Sequence, residues 1–352
     1  MRYRQLFIAL VVLLLARGVQ ALAPQPNSVF VRIADIGAGL CCVIQINDGD
    51  ETHFLIYDAG PPDDGGAPSF KAIKDIIPVG STVDLMVLSH SDADHIAAVN
   101  EICDAYKVRR VLRTGDQRTS KTWQTAMAAI AKEVETDGCV DLNLATTEFP
   151  FGATYQFGDA YATFIYGRSA PKSTWVPDLS SGEKNNCISI VMRLSYDGQS
   201  VLFTGDTVGR HILSPEKFSA FSEADMVRNS EIIPIKSDVI IAPHHGADNC
   251  SSADFIRAVR PRYVVFSCGS HFHHPRNATV QRYRKFAGVR SSRFFRTDRG
   301  DDEGKDKPGE EDWTGGNGKY TNDVEGRDAV DILIEKKEGR KKGKLTVAYQ
   351  NP

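Results

Sequence analysis

From Val29 onward, short runs rich in Val, Ile, Leu and aromatic residues alternate with stretches of helical period, and turns rich in Gly, Asn and Asp separate them. This rhythm predicts a layered α/β domain rather than two unrelated halves. Consecutive strands are expected over 29–33, 42–46 and 54–57, and Asn47-Asp48-Gly49-Asp50 is a hairpin signal between the last two. A buried strand follows over 85–88, and the segment after Asp94 turns helical. The clearest helix spans about 120–136. A Ser or Thr cap precedes it, Gly138 follows it, and Trp123, Met127, Ile130 and Val134 form one stripe expected to face the core. Further strands are predicted over 161–166, 188–194, 201–203, 239–242 and 263–267, with helices near 253–259 and 279–286. The segments 329–334 and 345–349 read as a closing hairpin.

The 352 residues are 41% hydrophobic and 25% charged, enough for a sizeable core and unlike a disordered chain, a collagen or a coiled coil. A net charge of -3 gives no global attraction to nucleic acid or anionic membrane, so a polyanion would have to be held by a local patch. Arg2 and Arg4, an apolar run over 6–16 and the small-residue site Ala21-Leu22-Ala23 form the pattern of a secretory signal peptide, with cleavage expected after Ala23. The run is too short to span a bilayer, which takes about 20 residues. The mature chain, 24–352, is therefore expected to be secreted or periplasmic, without a membrane span and with no stable protein partner implied. Seven scattered cysteines lack any C-x-x-C spacing, which argues against a thiolate metal site and for small apolar core roles. Between 298 and 327 the composition turns to Asp, Glu, Lys and Gly. This predicts an exposed insertion at about 299–327, with Trp313 and Tyr320 as its only anchors.

Six of the nine histidines fall in three places where strands are expected to end: His90 and His95, His244 and His245, His273 and His274. In His90-Ser91-Asp92-Ala93-Asp94-His95, four potential ligands occupy six residues just after an apolar strand. A capped helix start explains one aspartate but not the histidines on either side; one or two divalent metals explain the set. Three more apolar strands deliver polar groups at their ends: Asp58 after 54–57, Gly205-Asp206 after 201–203, and Pro243-His244-His245-Gly246 after 239–242. His271 and His273 are expected in a solvated loop, and His53 and His211 on the surface. A basic run (Arg276, Arg282, Arg284, Lys285, Arg290, Arg293, Arg296, Arg299) weighs evenly between a solvated face and a phosphate-tracking groove. Asn249-Cys250-Ser251 and Asn277-Ala278-Thr279 match the glycosylation pattern, a short signal that arises often by chance.

From Val29 to Tyr349 the order of these motifs resembles the metallo-β-lactamase superfamily of hydrolases, which implies an αβ/βα sandwich. Two departures stand out: Asp92 replaces the second histidine of the family's His-x-His-x-Asp-His box, and Asn185-Asn186-Cys187 stands where a further histidine is expected. Both are similar to one branch, the extracellular hydrolase domain of competence DNA-uptake channels. Asp35-Ile36-Gly37-Ala38-Gly39 matches that branch's opening, and His273-His274-Pro275 its late part. The transmembrane helices of those channels are missing, so transport is not implied. The resemblance implies two divalent ions. His90, Asp92 and Asn186 would face the first; Asp94, His95 and one of His244 or His245 the second; Asp206 would bridge them. Asp58 would stand behind the ligands and orient a histidine, with Asp35 also in that outer layer. Oxygen donors in place of imidazole shift preference from Zn²⁺ toward Mn²⁺ or Mg²⁺. The implied reaction is phosphodiester hydrolysis by a hydroxide held between the metals. Asp94, Asp206 and His274 are the expected catalytic side chains, and DNA is one candidate substrate. Two other readings compete: a zinc-dependent lactone, ester or β-lactam hydrolase, and a binding module of the same fold that has lost activity.

Overall fold

The computed structural model describes residues 21–61, 66–212, 218–269, 272–299, 313 and 328–350. Nearly all of the predicted leader, and the 299–327 insertion apart from Arg299 and Trp313, lie outside the described residues, as do His271 and Tyr320. The chain opens with β1 (Ser28–Ile33), β2 (Cys41–Asp48), β3 (Glu51–Ala59), α1 (Ala67–Lys74), β4 (Thr82–Val83), β5 (Leu85–Leu88), α2 (Ala93–Ile96), α3 (Val99–Ala105), β6 (Lys107–Val108), β7 (Arg110–Arg113), α4 (Lys121–Asp137) and β8 (Val140–Asn143). Then come β9 (Thr154–Phe157), β10 (Ala160–Tyr166), α5 (Ser181–Asn186), β11 (Val191–Tyr196), β12 (Gln199–Phe203), α6 (Phe221–Asn229), β13 (Val239–Ile241), α7 (Ala253–Val259), β14 (Tyr263–Phe266), α8 (Asn277–Ala287) and β15 (Phe294–Arg296). Last are β16 (Val330–Glu335) and β17 (Lys344–Tyr349).

Two mixed sheets result, ordered β17-β16-β1-β2-β3-β5-β7-β8 and β15-β14-β13-β12-β11-β10-β9. Period-two alternation makes each sheet two-sided. Val29, Val31 and Ile33 of β1 and Ile44 and Ile46 of β2 pack in one cluster with Phe164, Met192, Leu194 and Phe203 of the second sheet. On the outer face of the first sheet, Ile56, Met86 and Val111 pack with Ile73, Ile102 and Ile130 of the helices. On the outer face of the second, Leu202, Ile240 and Val264 meet Met226, Phe255, Ile256 and Val280. This is the four-layer αβ/βα sandwich that the motif order implied. In each sheet one half is antiparallel and the other parallel: β3, β5, β7 and β8 in the first, β12, β13, β14 and β15 in the second. The parallel strands end together, and the polar groups after them meet there.

Three expectations change. The face that α4 buries is Ala126, Ala129, Ile130 and Glu133, while Trp123 and Met127 are half-buried and Val134 is 41% exposed. Small alanines bring the helix close to the sheet, and Glu133 accepts the Val108 N–H at 2.6 Å. The strand predicted from 188 begins at Val191, because Ser189 N–H turns back to the Asn186 carbonyl (3.0 Å) and Ile190 N–H reaches the Ser89 carbonyl (2.8 Å). The basic run divides: Arg282 pairs with Asp248 (2.6 Å), Arg296 with Asp298 (2.6 Å) and Arg299 with Asp328 (2.8 Å), all three guanidiniums buried. Trp313 is buried against Phe266 and Phe294. All seven cysteines are free thiols, and all but Cys103 are buried. The segment after Asp94 is helical as expected, in two pieces (α2 and α3); α1, α5, α6, β4, β6, β7, β8, β9 and β15 were not marked by the sequence pattern.

The closing hairpin pairs β16 with β1, and Arg32 lies opposite Asp331 in that register. The two form a bidentate ion pair with both contacts at 2.8 Å and Asp331 fully buried. Asp331→Ala is expected to cost about 3–5 kcal/mol by stranding the arginine, and replacing both residues by leucine should recover most of that loss. Urea unfolding midpoints of the single and double variants check this.

Candidate metal centre

At the end of β3, Asp58 turns the chain in a left-handed conformation (φ 60) and is completely buried. Its carboxylate accepts the Ser89 N–H (2.7 Å), the Ser89 hydroxyl (2.8 Å) and the His95 Nδ1–H (2.9 Å). Because the Ser89 hydroxyl gives its proton to Asp58, it accepts from His90 Nδ1 at 3.0 Å. On the other sheet His245 Nδ1 donates to the Ser267 carbonyl (2.7 Å), and His244 Nδ1 donates to the Asn249 side-chain oxygen (2.8 Å). Each acceptor fixes the Nδ1–H tautomer, so four Nε2 lone pairs remain for one central space.

Asp206 occupies the middle of that space. Its Oδ1 is 3.3 Å from His95 Nε2, and its Oδ2 is 3.5 Å from His245 Nε2, 3.9 Å from His90 Nε2 and 3.9 Å from His244 Nε2. It can enter because Gly205 (φ 50) precedes it: a Cβ there would lie 2.7 Å from Ser89 Cβ. Asp92 Oδ2 is 3.5 Å from His90 Nε2, and Asp94 Oδ2 is 3.7 Å from His95 Nε2 and 3.6 Å from His245 Nε2. Two overlapping sets therefore have ligand atoms within 4.8 Å of one another: His90, His95 and Asp206; and Asp94, His95 and His245.

The donor chemistry fits divalent cations. His90 Nε2, His95 Nε2, His245 Nε2 and Asp206 Oδ1 are buried and have no hydrogen-bond partner, an arrangement that packing alone leaves costly. Charge tells the same story. Burial would raise the Asp206 carboxyl, yet His95, His245 and His244 hold it well below the carboxylate range. Burial would lower the His245 imidazole, but Asp206 and Asp94 lift it to about 10. His95 is likewise raised well above its ordinary value, against burial, by Asp206, Asp94 and Asp58. The carboxylates thus demand positive charge in the space between them.

Asn186, at the end of α5, lies between the two halves. With its NH₂ toward Asp92 (3.2 Å) and the Gly182 carbonyl (3.1 Å), its oxygen is 3.2 Å from His244 Nε2. His245, rather than His244, belongs with Asp94 and His95. The His274 ring stands 5.9 Å from that of His244 and 6.4 Å from that of His245; burial and those two rings push its imidazole down to about 2. Asp35 accepts the Asp328 N–H (3.0 Å), where the chain returns to β16. The opening loop supports the centre through its backbone instead: Leu40 N–H donates to the Asp94 carbonyl (3.1 Å), and the Gly39 carbonyl accepts from Ser267 Oγ (2.7 Å). His53 bonds Asp84 at 3.2 Å, and His211 is exposed.

Several residues here were not singled out from the sequence. Ser89 links Asp58 to His90, and Ser267 orients His245. Arg118, on the loop before α4, ion-pairs with Asp92. Asn249 matched a glycosylation pattern, but it is buried and clamps His244 while donating to Glu183 at 3.0 Å. A polar residue beside a ligand histidine was the one available signal for Ser89; nothing local marked Arg118 or Ser267, which arrive through tertiary folding.

Residues 34–161 match the Metallo-beta-lactamase superfamily. That stretch is just over a third of the chain, and the fold and the donor set of the site agree with a metal-dependent hydrolase of that kind. The chain is similar to ComE operon protein 3 of Bacillus subtilis (strain 168), with 27% identity over 219 residues, 61% of this chain and 24% of that protein. The match thus spans about a quarter of the relative's length. Among solved structures it is similar to the metallo-beta-lactamase fold protein YhfI from Bacillus subtilis (12% identity, 76% of this chain and 95% of that one, TM-score 0.43). It is also similar to Igni18, a metallo hydrolase from the hyperthermophilic archaeon Ignicoccus hospitalis (15% identity, 67% and 81% coverage, TM-score 0.36).

Asp58→Asn keeps the volume but turns an NH₂ toward one of three donors. Metal affinity, measured by isothermal titration with Mn²⁺ and Zn²⁺, is expected to fall roughly 10–100-fold while the far-ultraviolet circular dichroism is unchanged.

Proposed function

We propose that this protein is an exported phosphodiesterase that works with two divalent cations. One observation carries the reading: the two donor sets share His95 and centre on Asp206, with Asp92 and Asn186 bordering the His90 side. Oxygen donors on that side favour a hard ion, Mn²⁺ or Mg²⁺, over Zn²⁺. The motif order, which resembles the hydrolase domain of competence DNA-uptake channels, supports a nucleic-acid strand among the diesters. The basic-then-apolar pattern over 2–23 supports export. Among the described residues no helix is long and apolar enough to cross a membrane.

The centre reaches solvent at Asp92, Asp94 and His244. His90 and His95 side chains are fully covered, while those of Asp92, Asp94 and His244 keep 30%, 27% and 23% exposure. Arg118, 27% exposed beside Asp92, adds a cation where an anionic diester would enter and holds the Asp92 carboxylate in place. Divalent ions, when bound, supply Lewis acidity toward the phosphoryl oxygens and the hydrolytic water. His274 stands beside His244 and His245, placed to donate a hydrogen bond from its neutral ring to the departing oxygen. Asp206 keeps the two donor sets in register, and Asp58 with Ser89 keeps His90 and His95 from turning.

Metal analysis of the purified protein and hydrolysis of bis(p-nitrophenyl) phosphate and single-stranded DNA under Mn²⁺, Mg²⁺ or Zn²⁺ test this. Close to two metals per chain with Mn²⁺- or Mg²⁺-dependent cleavage is expected. Asp206→Ala should lose bound metal and reduce turnover by more than the roughly 10–100-fold that an outer partner costs. Turnover of a lactone or β-lactam with Zn²⁺ and none of either diester would overturn the assignment.

A further inference from the structure

At the opposite end of the second sheet, a cleft of about 470 Å³ opens where α7 runs into β14 and α8 into β15, and Arg260, Arg262, Arg290 and Arg293 line it. We propose that this cleft is an exosite that holds phosphate groups of the substrate strand away from the scissile bond; the inference rests on the phosphodiesterase reading above.

The charge of the cleft is the first reason. No acidic residue lines it. Arg262 meets one carboxylate, that of Asp238, at 3.4 Å. Arginines at helix C-termini are common because the helix end is partly negative, and both α7 and α8 end here. That effect is too small to use up the charge: two helix ends of roughly -0.5 each and one aspartate, set against four guanidiniums, leave about two positive charges unmatched. Arg260 and Arg290 are exposed and have no ion pair among the described residues. In a chain of net charge -3, this is a local patch and not a general basic surface.

Preorganisation is the second reason. The Tyr263 ring carries the Arg293 guanidinium at 5.0 Å and that of Arg262 at 5.8 Å, which limits their rotamers at little cost in charge. Arg260 projects from a left-handed cap (φ 50), a conformation a non-glycine residue holds at some strain. The guanidiniums of Arg262 and Arg293, held by the Tyr263 ring, suit phosphate, which guanidinium binds in bidentate fashion. Arg290 and Arg293 belong to the basic run of the sequence; Arg282, Arg296 and Arg299 of that run are buried in ion pairs, while these two line the cleft.

Position is the third. β14 runs from Tyr263 at the cleft to Phe266, and the next residue, Ser267, orients His245. Five residues at ~3.3 Å each separate Arg262 from Ser267 by ~17 Å, about five nucleotide steps at the ~3.4 Å axial rise of a B-form strand. A ligand that reaches both ends is therefore a polymer, and a simple diester uses the metal centre alone.

The test uses the whole protein in EDTA with a fluorescein-labelled 20-nucleotide single-stranded DNA, followed by anisotropy across a salt series. Arg260→Glu/Arg290→Glu is expected to weaken binding about tenfold or more and to lower the salt slope by about 1.4, the loss of two contacts at ~0.7 each. Turnover of bis(p-nitrophenyl) phosphate should stay at the wild-type value. Arg260→Gln/Arg290→Gln, at two exposed positions, gives the same readout without charge reversal. Unchanged DNA affinity in both variants, with diester turnover intact, overturns the exosite and leaves the proposed function standing. Weakened DNA binding with no diester turnover in the wild type keeps the phosphate site and removes the phosphodiesterase. Pyrophosphate competing as strongly as the oligonucleotide would assign the cleft to a small phosphate and overturn the strand.

Discussion

The Asp58 carboxylate is the constraint on which the centre depends. Its oxygens accept from the Ser89 backbone, the Ser89 hydroxyl and His95 together, and through Ser89 it reaches His90. One buried acceptor thus sets the end of β3 against the end of β5 and fixes two imidazoles in the same tautomer. The second sheet has no equivalent carboxylate. There a carbonyl and an amide, from Ser267 and Asn249, do the same for His245 and His244. Two different local solutions produce the same outcome, Nε2 lone pairs turned toward Asp206.

The centre also concentrates strain. Asp58, His244 and His245 all sit at positive φ, which costs non-glycine residues of order 1–3 kcal/mol each. The same residues border the buried atoms that lack partners. A fold tolerates both only where surrounding structure over-determines them, and here the two-sheet core and the outer helices do so. A ligand that binds the folded chain and satisfies those atoms stabilises it in proportion to its concentration over its dissociation constant.

Much of this was legible in the chain itself. The strand-end pattern located Asp58, His90, Asp92, Asp94, His95, Asp206, His244 and His245 before any fold was known, because apolar runs that stop at a polar group mark sheet ends. Periodicity also placed α7 and β5 within a residue of their bounds. What stayed hidden depended on contacts between distant segments. Arg118 meets Asp92 only because β7 lies beside β5, and no spacing rule records that neighbourhood. The Asn249 sequon and the basic run were ambiguous for a related reason: a short polar motif does not reveal whether it faces solvent, and burial decided both. The stripe read on α4 held for Ile130, Trp123 and Met127 and failed at Val134, because the buried face is centred on Ala126 and Ala129, which let the helix approach closely.

The pairing of β16 with β1 has a consequence for how the molecule is made. The first sheet needs residues from both ends of the described chain, since Ser28 lies opposite Glu335. His90 and Asp206, whose atoms meet at the centre, come from different sheets. Such long-range contacts form late, after the roughly three hundred residues between the paired strands have been made. A half-made chain therefore has no centre to fill. The ion that enters first is chosen by the supply in the compartment where folding finishes, because affinity order alone does not set metal selectivity. Location of folding, as much as ligand chemistry, becomes a determinant of metal identity.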